Sequence, residues 1–286
     1  MRSRVKNIQL WLEDVESNVS VVAICGMGGI GKTTTATLLY NFNLSRFDRC
    51  SFIANVREVS KQQDGLLLLQ KQFLSDICKP RKVKLNNISE GITMIKNIMC
   101  CKKVLVVLDD VDERDQFNAL LGMEGWHFPG SKVIITTRRE RLLRACELCK
   151  VYKLETLSEE ESLELFSWHA FGKSCPNNGY EEAAKRVISY CDGLPLALKV
   201  IGSSLLGNNF DEWESQLDKL KEIPNSEIID KLRISYESLQ DDHDKSLFLR
   251  LACFFVGNNK DSTVTILDGS GFHTTIGIRN LMDRFL

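Results

Sequence analysis

The residues of this 286-residue chain best suited to chemistry stand near its start: Gly26-Met27-Gly28-Gly29-Ile30-Gly31-Lys32-Thr33, followed by Thr34. The run fits G-x-x-x-x-G-K-[ST]. Glycines let a backbone wrap an anion so that successive N–H groups converge on it at a helix N-terminus. A lysine in the next place reaches the β- and γ-phosphates of a nucleotide, and the hydroxyl after it ligates Mg2+. Gly26 to Thr34 are therefore the expected nucleotide-binding loop, with Lys32 also acting in catalysis and Thr33 as a metal ligand. A glycine-rich turn that binds nothing is the bland alternative. The apolar run Val21–Cys25 before the motif and the helical pattern after it favour the cradle.

A second constellation is Val104-Leu105-Val106-Val107-Leu108-Asp109-Asp110. An apolar strand that delivers a carboxylate at its C-terminal end is the Walker B arrangement, in which Asp109 holds Mg2+, usually through water. Asp110 is then placed to orient or deprotonate an attacking water. Strands often end in aspartate, so the pattern gains its meaning from the complete glycine motif upstream. A third run, Ser131 to Arg138, reads as another buried strand ending in hydroxyls and a guanidinium. Arg138 at such a tip could sense a γ-phosphate through bidentate charge-assisted bonds. Beside Arg139 and Arg141 it reads equally well as a surface arginine.

These residues need elements to hold them. Strand-like apolar runs occur at Ser20–Cys25, Ser51–Ala54, Lys103–Leu108, Lys132–Thr136 and Val151–Leu154. Helix-like segments lie between them at Thr33–Tyr40, Leu66–Ile77, Ile88–Met99, Gln116–Leu121 and Glu140–Ala145, and a helical stripe of Val5, Ile8, Leu12 and Val15 precedes them. Strands alternating with helices predict βαβ units and a mostly parallel sheet, buried on both faces. After Leu154 the pattern becomes helical. Ser158-Glu159-Glu160-Glu161 has capping-box spacing, with Leu163, Phe166 and Ala170 following on one face. Helical segments continue over 179–191, 194–206, 211–222, 226–239 and 244–255, with no strand pattern before the last thirty residues.

Composition agrees with a globular α/β protein. With 43% hydrophobic and 26% charged residues, disordered and fibrous classes are excluded. The net charge of −1 argues against a dedicated nucleic-acid binder. It hides an asymmetry: residues 1–155 carry 24 Lys+Arg against 17 Asp+Glu, and residues 156–286 carry 13 against 21. Ten cysteines are too dilute for a disulfide framework, and Cys25, Cys191 and Cys253 sit in apolar runs that suit core-filling thiols. Cys146 and Cys149 form a C-x-x-C without a second pair at zinc spacing, and the histidines at 127, 169, 243 and 273 are scattered. No apolar segment follows the basic start to make a signal peptide, and no run approaches the ~20 residues of a membrane-spanning helix. A cytoplasmic location, with the nucleus left open, is expected.

Taken together, these blocks resemble the NB-ARC nucleotide-binding switch of plant disease-resistance proteins, a family of signal-transduction P-loop NTPases related to the animal apoptotic protease-activating factor. The likeness runs in order through Gly26–Thr33, Phe52–Glu58, Lys103–Asp112, Gly130–Arg138, Tyr152–Phe171, Cys191–Leu198 with its Gly193-Leu194-Pro195-Leu196-Ala197, and Phe248–Phe255. It implies a parallel-sheet P-loop core over 1–155, a helical subdomain over 156–223 and a truncated winged-helix subdomain over 224–286. It implies ADP or ATP with Mg2+ as cofactors, and a role for Pro195 beside the adenine. Read from the residues alone, Gly193 and Pro195 simply punctuate two helices. Asp112 closing the Asp109 block, and the form of Phe248–Phe255, resemble the class with an N-terminal Toll/interleukin-1 receptor-like domain. That signalling domain, the leucine-rich repeats and the Met-His-Asp motif are not found in the chain, so a fragment or truncated product is expected. The implied function is a switch in plant defence, resting with ADP, active and able to oligomerise with ATP, and at most a slow ATPase. Its partners in a full receptor would be the N-terminal signalling domain and the C-terminal repeats. The alternative is a turnover ATPase or small-molecule kinase on the same core; no lid with clustered arginines interrupts the strand–helix alternation to favour it.

Overall fold

The computed structural model describes residues 2–14, 21–78, 84–122, 130–143, 149–239 and 241–286. Two compact units are present, residues 1–26 with 32–154, and residues 27–31 with 155–286.

The first unit opens with α1 (Arg2–Glu13), followed by β1 (Val21–Cys25), α2 (Lys32–Asn43), β2 (Arg49–Ile53), α3 (Val56–Ser60), α4 (Gly65–Ile77) and α5 (Ile88–Cys101). Then come β3 (Val104–Val111), α6 (Arg114–Leu121), β4 (Lys132–Thr137) and β5 (Cys149–Lys153). The five strands form one parallel sheet in the order β2-β3-β4-β1-β5. Val21–Cys25 and Val104–Leu108 are buried throughout, as strands covered on both faces must be. On one face Ile8, Trp11 and Leu12 of α1 pack with Ala36 and Leu39 of α2 against Val22, Ile24, Leu105, Val107 and Ile134. Trp11 also lies under the Lys132 ammonium, 4.8 Å from its ring centre. All five expected strands are present. Between Leu108 and Val111 the register of β3 against β4 shifts, pairing Leu108 with Ile135 and Val111 with Thr137. Three steps on β3 thus oppose two on β4, a bulge that falls on Asp109 and Asp110.

The helices of the second unit are α7 (Glu159–Phe171), α8 (Glu181–Cys191), α9 (Pro195–Leu205), α10 (Phe210–Glu222), α11 (Ser226–Glu237), α12 (Asp242–Phe254), α13 (Lys260–Gly269) and α14 (Thr274–Met282). Ser158 caps α7 as its spacing predicts: its hydroxyl accepts from the Glu161 N–H at 3.2 Å, and the Glu161 carboxylate accepts from the Ser158 N–H at 3.4 Å. Phe166, Phe171, Tyr180 and Trp213 stack edge and face at the centre of this helical cluster. Trp213 is 1% exposed, and its indole N–H donates to the Leu205 carbonyl at 3.0 Å. Between α8 and α9 the chain turns through left-handed Asp192 (φ 45°) and Gly193 (φ 67°). A Cβ on Gly193 would stand 2.5 Å from the Leu157 carbonyl oxygen.

Several expectations are corrected. Glu140–Leu143 is a 3-10 turn, not the start of an α-helix; residues 144–145, like Val15, His127 and Cys146, lie outside the described residues. Among the described residues, 260–286 hold two helices and no strand. Cys253, expected to fill the core, is exposed; in the same helix Leu247 is buried and Phe254 is 74% exposed. A 3.6-residue period turns only one stripe of an apolar run inward, and here a small cluster of Leu239, Leu247, Leu267 and Leu281 defines that stripe.

Candidate nucleotide-binding site

The strands β1, β3 and β4 are parallel, so their C-terminal ends lie at one edge of the sheet, where ligands of open α/β folds bind. The first turn there runs from Cys25 to Lys32. Gly26, Gly29 and Gly31 take positive φ values of 155°, 79° and 97°, which side chains other than glycine's rarely tolerate. Lys32 begins α2 and is buried; its ammonium donates to the Gly26 carbonyl at 2.8 Å, closing the loop on itself. Burial pushes the Lys32 ammonium down to about 8, the Arg138 cation pushes the same way, and Asp110 and Asp109 oppose them. Burial thus disfavours the charged ammonium, and an anion beside it would stabilise that charge. Thr33 and Thr34 are exposed in the first turn of α2.

Residues 27–31 belong to the second unit. There the Leu196 N–H donates to the Gly29 carbonyl at 3.2 Å, and a Cβ on Gly29 would stand 2.7 Å from Leu196 Cβ. Met27 and Gly29 are half-buried, and Gly28 and Ile30 are buried. Pro195 is the first residue of α9.

The end of β3 carries the carboxylates. Asp109 is 3% exposed. Its Oδ1 accepts from the Thr33 hydroxyl at 2.7 Å and from the Thr136 hydroxyl at 2.7 Å. Thr136 accepts in turn from the Asp110 N–H at 2.8 Å. Asp110 itself is left-handed (φ 59°), the conformation that the bulge imposes and that aspartate tolerates better than most residues. Its side chain meets two guanidinium groups: Arg57 Nε donates to Oδ2 at 2.8 Å, and Arg138 Nε lies 3.6 Å from Oδ1. Burial lowers the Arg138 pKa, an effect that Asp110 counters; its guanidinium remains charged in any case. Lys32, Thr33, Asp109, Asp110 and Arg138 are therefore brought together in the first unit.

Arg57 is the residue that sequence reasoning passed over. It follows the C-terminal end of β2, the strand beside β3, and a cation there was the available signal; only the strand order makes β2 and β3 neighbours. A metal ion would find hard oxygens here. No cluster of three or more His, Cys, Asp or Glu among the described residues could hold one alone. The Thr33 hydroxyl and the Asp109 carboxylate suit Mg2+, which takes its other ligands from phosphates and water. Cys149 is half-buried.

A parallel sheet with a glycine loop between β1 and α2 and a carboxylate ending β3 defines a P-loop NTPase. The chain matches the NB-ARC domain family over residues 1–175 and the Roq1-like winged-helix domain of disease resistance proteins over residues 241–286. It belongs to the NB-ARC family, and family and fold together imply nucleotide binding. It is similar to disease resistance protein RUN1 of Vitis rotundifolia, 43% identical over 99% of this chain and 21% of that protein. It is similar to TMV resistance protein N of Nicotiana glutinosa, 36% identical over 99% of this chain and 25% of that protein. The chain thus spans about a fifth to a quarter of the relatives it matches. Among solved structures, a chain of Drosophila ORC bound to DNA covers 92% of this chain at 13% identity with a TM-score of 0.55, a likeness of fold alone. No helix among the described residues is long and apolar enough to cross a membrane.

Proposed function

We propose that this chain is the nucleotide-operated switch of a plant disease-resistance receptor, resting with ADP, active with ATP, and reset by slow hydrolysis. The observation that carries the reading is the joint placement of the dry Lys32 ammonium, the Thr33–Asp109 pair and Asp110 at one sheet edge. Gly26 to Thr34 bind the phosphates, Pro195 lies by the adenine, Arg138 senses the γ-phosphate, and Thr33 and Asp109 are the protein's contribution to the Mg2+ site. A bound Mg2+ would neutralise charge across the phosphate oxygens. Asp110 orients the attacking water.

Switching requires that ADP and ATP bind two conformations with different affinity, since equal binding shifts no population. We read the helical unit as a subdomain over 156–223 and a partial winged helix over 224–286, and the partners as signalling and repeat domains of the full receptor, with oligomers formed in the ATP state. A turnover ATPase or kinase is the rival. In the test, purified protein retains ADP and turns over ATP below about one per second, the slow edge of ordinary enzyme rates. Rapid, substrate-stimulated turnover would sink the switch. Lys32→Arg removes a compact ammonium that fits the loop, and its expected result is loss of nucleotide retention in a folded protein.

A further inference from the structure

Asp110 is shared unequally between two cations. Arg57 makes the short bond, Nε to Oδ2 at 2.8 Å, and Arg138 stands off at 3.6 Å from the other oxygen. Arg57 is in turn built into place. Asn55, left-handed at φ 53°, turns the chain from β2 into the single turn of α3. The Ser60 hydroxyl donates to the Arg57 carbonyl at 3.0 Å, and Gln116 donates to the Ser60 hydroxyl at 2.8 Å. The same Gln116 donates to the Asp112 carboxylate at 2.7 Å and accepts from the Asp112 N–H at 3.0 Å. The far nitrogen of Arg57 lies 3.5 Å from Glu58. A chain of contacts therefore runs from Asp112, just past the end of β3, through α6 and α3 back to the bulge at Asp110, and Arg57 completes it.

We infer that Arg57 is a positioning residue for hydrolysis: it holds Asp110 by Oδ2 so that Oδ1 stays directed at an attacking water and does not close on Arg138. The inference rests on the switch reading above. In the step it serves, the water oxygen bonds to the γ-phosphorus, the bond from that phosphorus to the bridging β–γ oxygen breaks, and the water proton passes to Asp110 Oδ1. ADP and inorganic phosphate are the products. Without Arg57 the carboxylate is drawn toward Arg138. That misdirects the water, while the glycine loop that binds the diphosphate is untouched.

The experiment measures single-turnover hydrolysis of Mg2+–ATP and equilibrium binding of ADP for the wild-type chain, Arg57→Ala, Arg57→Lys, Asp110→Asn and the double variant Arg57→Ala/Asp110→Asn. Arg57→Ala is expected to slow hydrolysis about tenfold with ADP affinity changed less than about twofold, a split that marks an interaction made only on the way to the transition state. ADP binding also reports that the variant is folded. Arg57→Lys keeps the charge and recovers part of the rate. The double variant should hydrolyse no more slowly than Asp110→Asn alone, because both changes break one unit. Multiplying defects, an ADP affinity that falls as far as the rate, or wild-type rates in Arg57→Ala or Asp110→Asn would each overturn the inference while leaving the switch standing. A wild-type chain that binds no nucleotide would overturn the switch and this inference with it.

Discussion

The α/β unit and the helical unit bury different kinds of group. In the first, Lys32, Gln70, Asp109, Asp112, Gln116, Thr136 and Thr137 are all withdrawn from water. In the second, the buried polar side chains among the described residues are the hydroxyls of Ser162, Ser167, Ser235, Thr263 and Thr274, with one carboxylate, Asp244, which accepts from Asn280 at 2.9 Å. Its centre is aromatic instead. A buried charge is tolerated only where partners are fixed around it, and the edge of a parallel sheet fixes them well. Strand register sets the spacing, loops add N–H groups, and the β3 bulge turns two successive carboxylates to different neighbours. Packed helices, their backbone groups already paired along the axis, offer mainly apolar side chains. Several of the first unit's buried polar groups therefore gather at the candidate site, while the aromatic centre of the second unit is support.

The sharpest way to break that contrast is to damage the support alone. Trp213→Ala empties the aromatic centre of the helical unit and should cost about 3–5 kcal/mol of stability, as large-to-small core changes do. Chemical denaturation should show the loss confined to transitions of the helical unit. A loss shared equally by the α/β unit would mean that the two do not divide as described.

A smaller effect is expected at the corner before α9. Gly193→Ala forces a side chain into a left-handed residue and against the Leu157 carbonyl, at a cost of about 1–3 kcal/mol. A Tm equal to wild type would show that this corner yields easily.

The last effect is one of pH, and it belongs to the α/β unit alone. Lys32 has an ordinary pKa of 10.5 that burial lowers to about 8 in the folded chain. Below about 8 it is protonated whether folded or unfolded, and the folded state bears the full burden of a buried charge. Between about 8 and 10.5 only the unfolded chain keeps the proton, so this group's contribution to stability becomes more favourable as pH rises through that window. Nucleotide binding moves the other way. Phosphates require the ammonium, so ADP affinity should fall as pH rises above about 8, by at most tenfold per unit, with proton uptake on binding. Calorimetry in buffers of different ionisation heat measures that uptake. Its absence at pH 8 to 9 would place the buried cation elsewhere.

Local patterns were readable before any tertiary structure. Val104–Leu108 is uniformly apolar because its strand is covered on both faces, and Ser158 caps α7 because its hydroxyl lies three residues before Glu161. The glycine motif predicted the tight turn after β1 because glycine's freedom at positive φ is a property of the residue itself. Cys253 is exposed, against its expected place in the core, for the complementary reason. An apolar run shows that burial is available, not which stripe a neighbour will cover.

What the sequence by itself determined, then, is the alternation of strands and helices, the glycine-rich turn before Lys32 that joins β1 to α2, and the carboxylates closing β3. Each is written in residues adjacent along the chain, through period, conformational freedom and capping. Only the tertiary structure decided the order β2-β3-β4-β1-β5, the bulge that turns Asp110 left-handed, the drying of Lys32 and the meeting of Arg57 with Asp110. Those depend on which strand lies beside which and on how much water remains between them. Such quantities arise from contacts between residues far apart in the chain, and no local spacing encodes them.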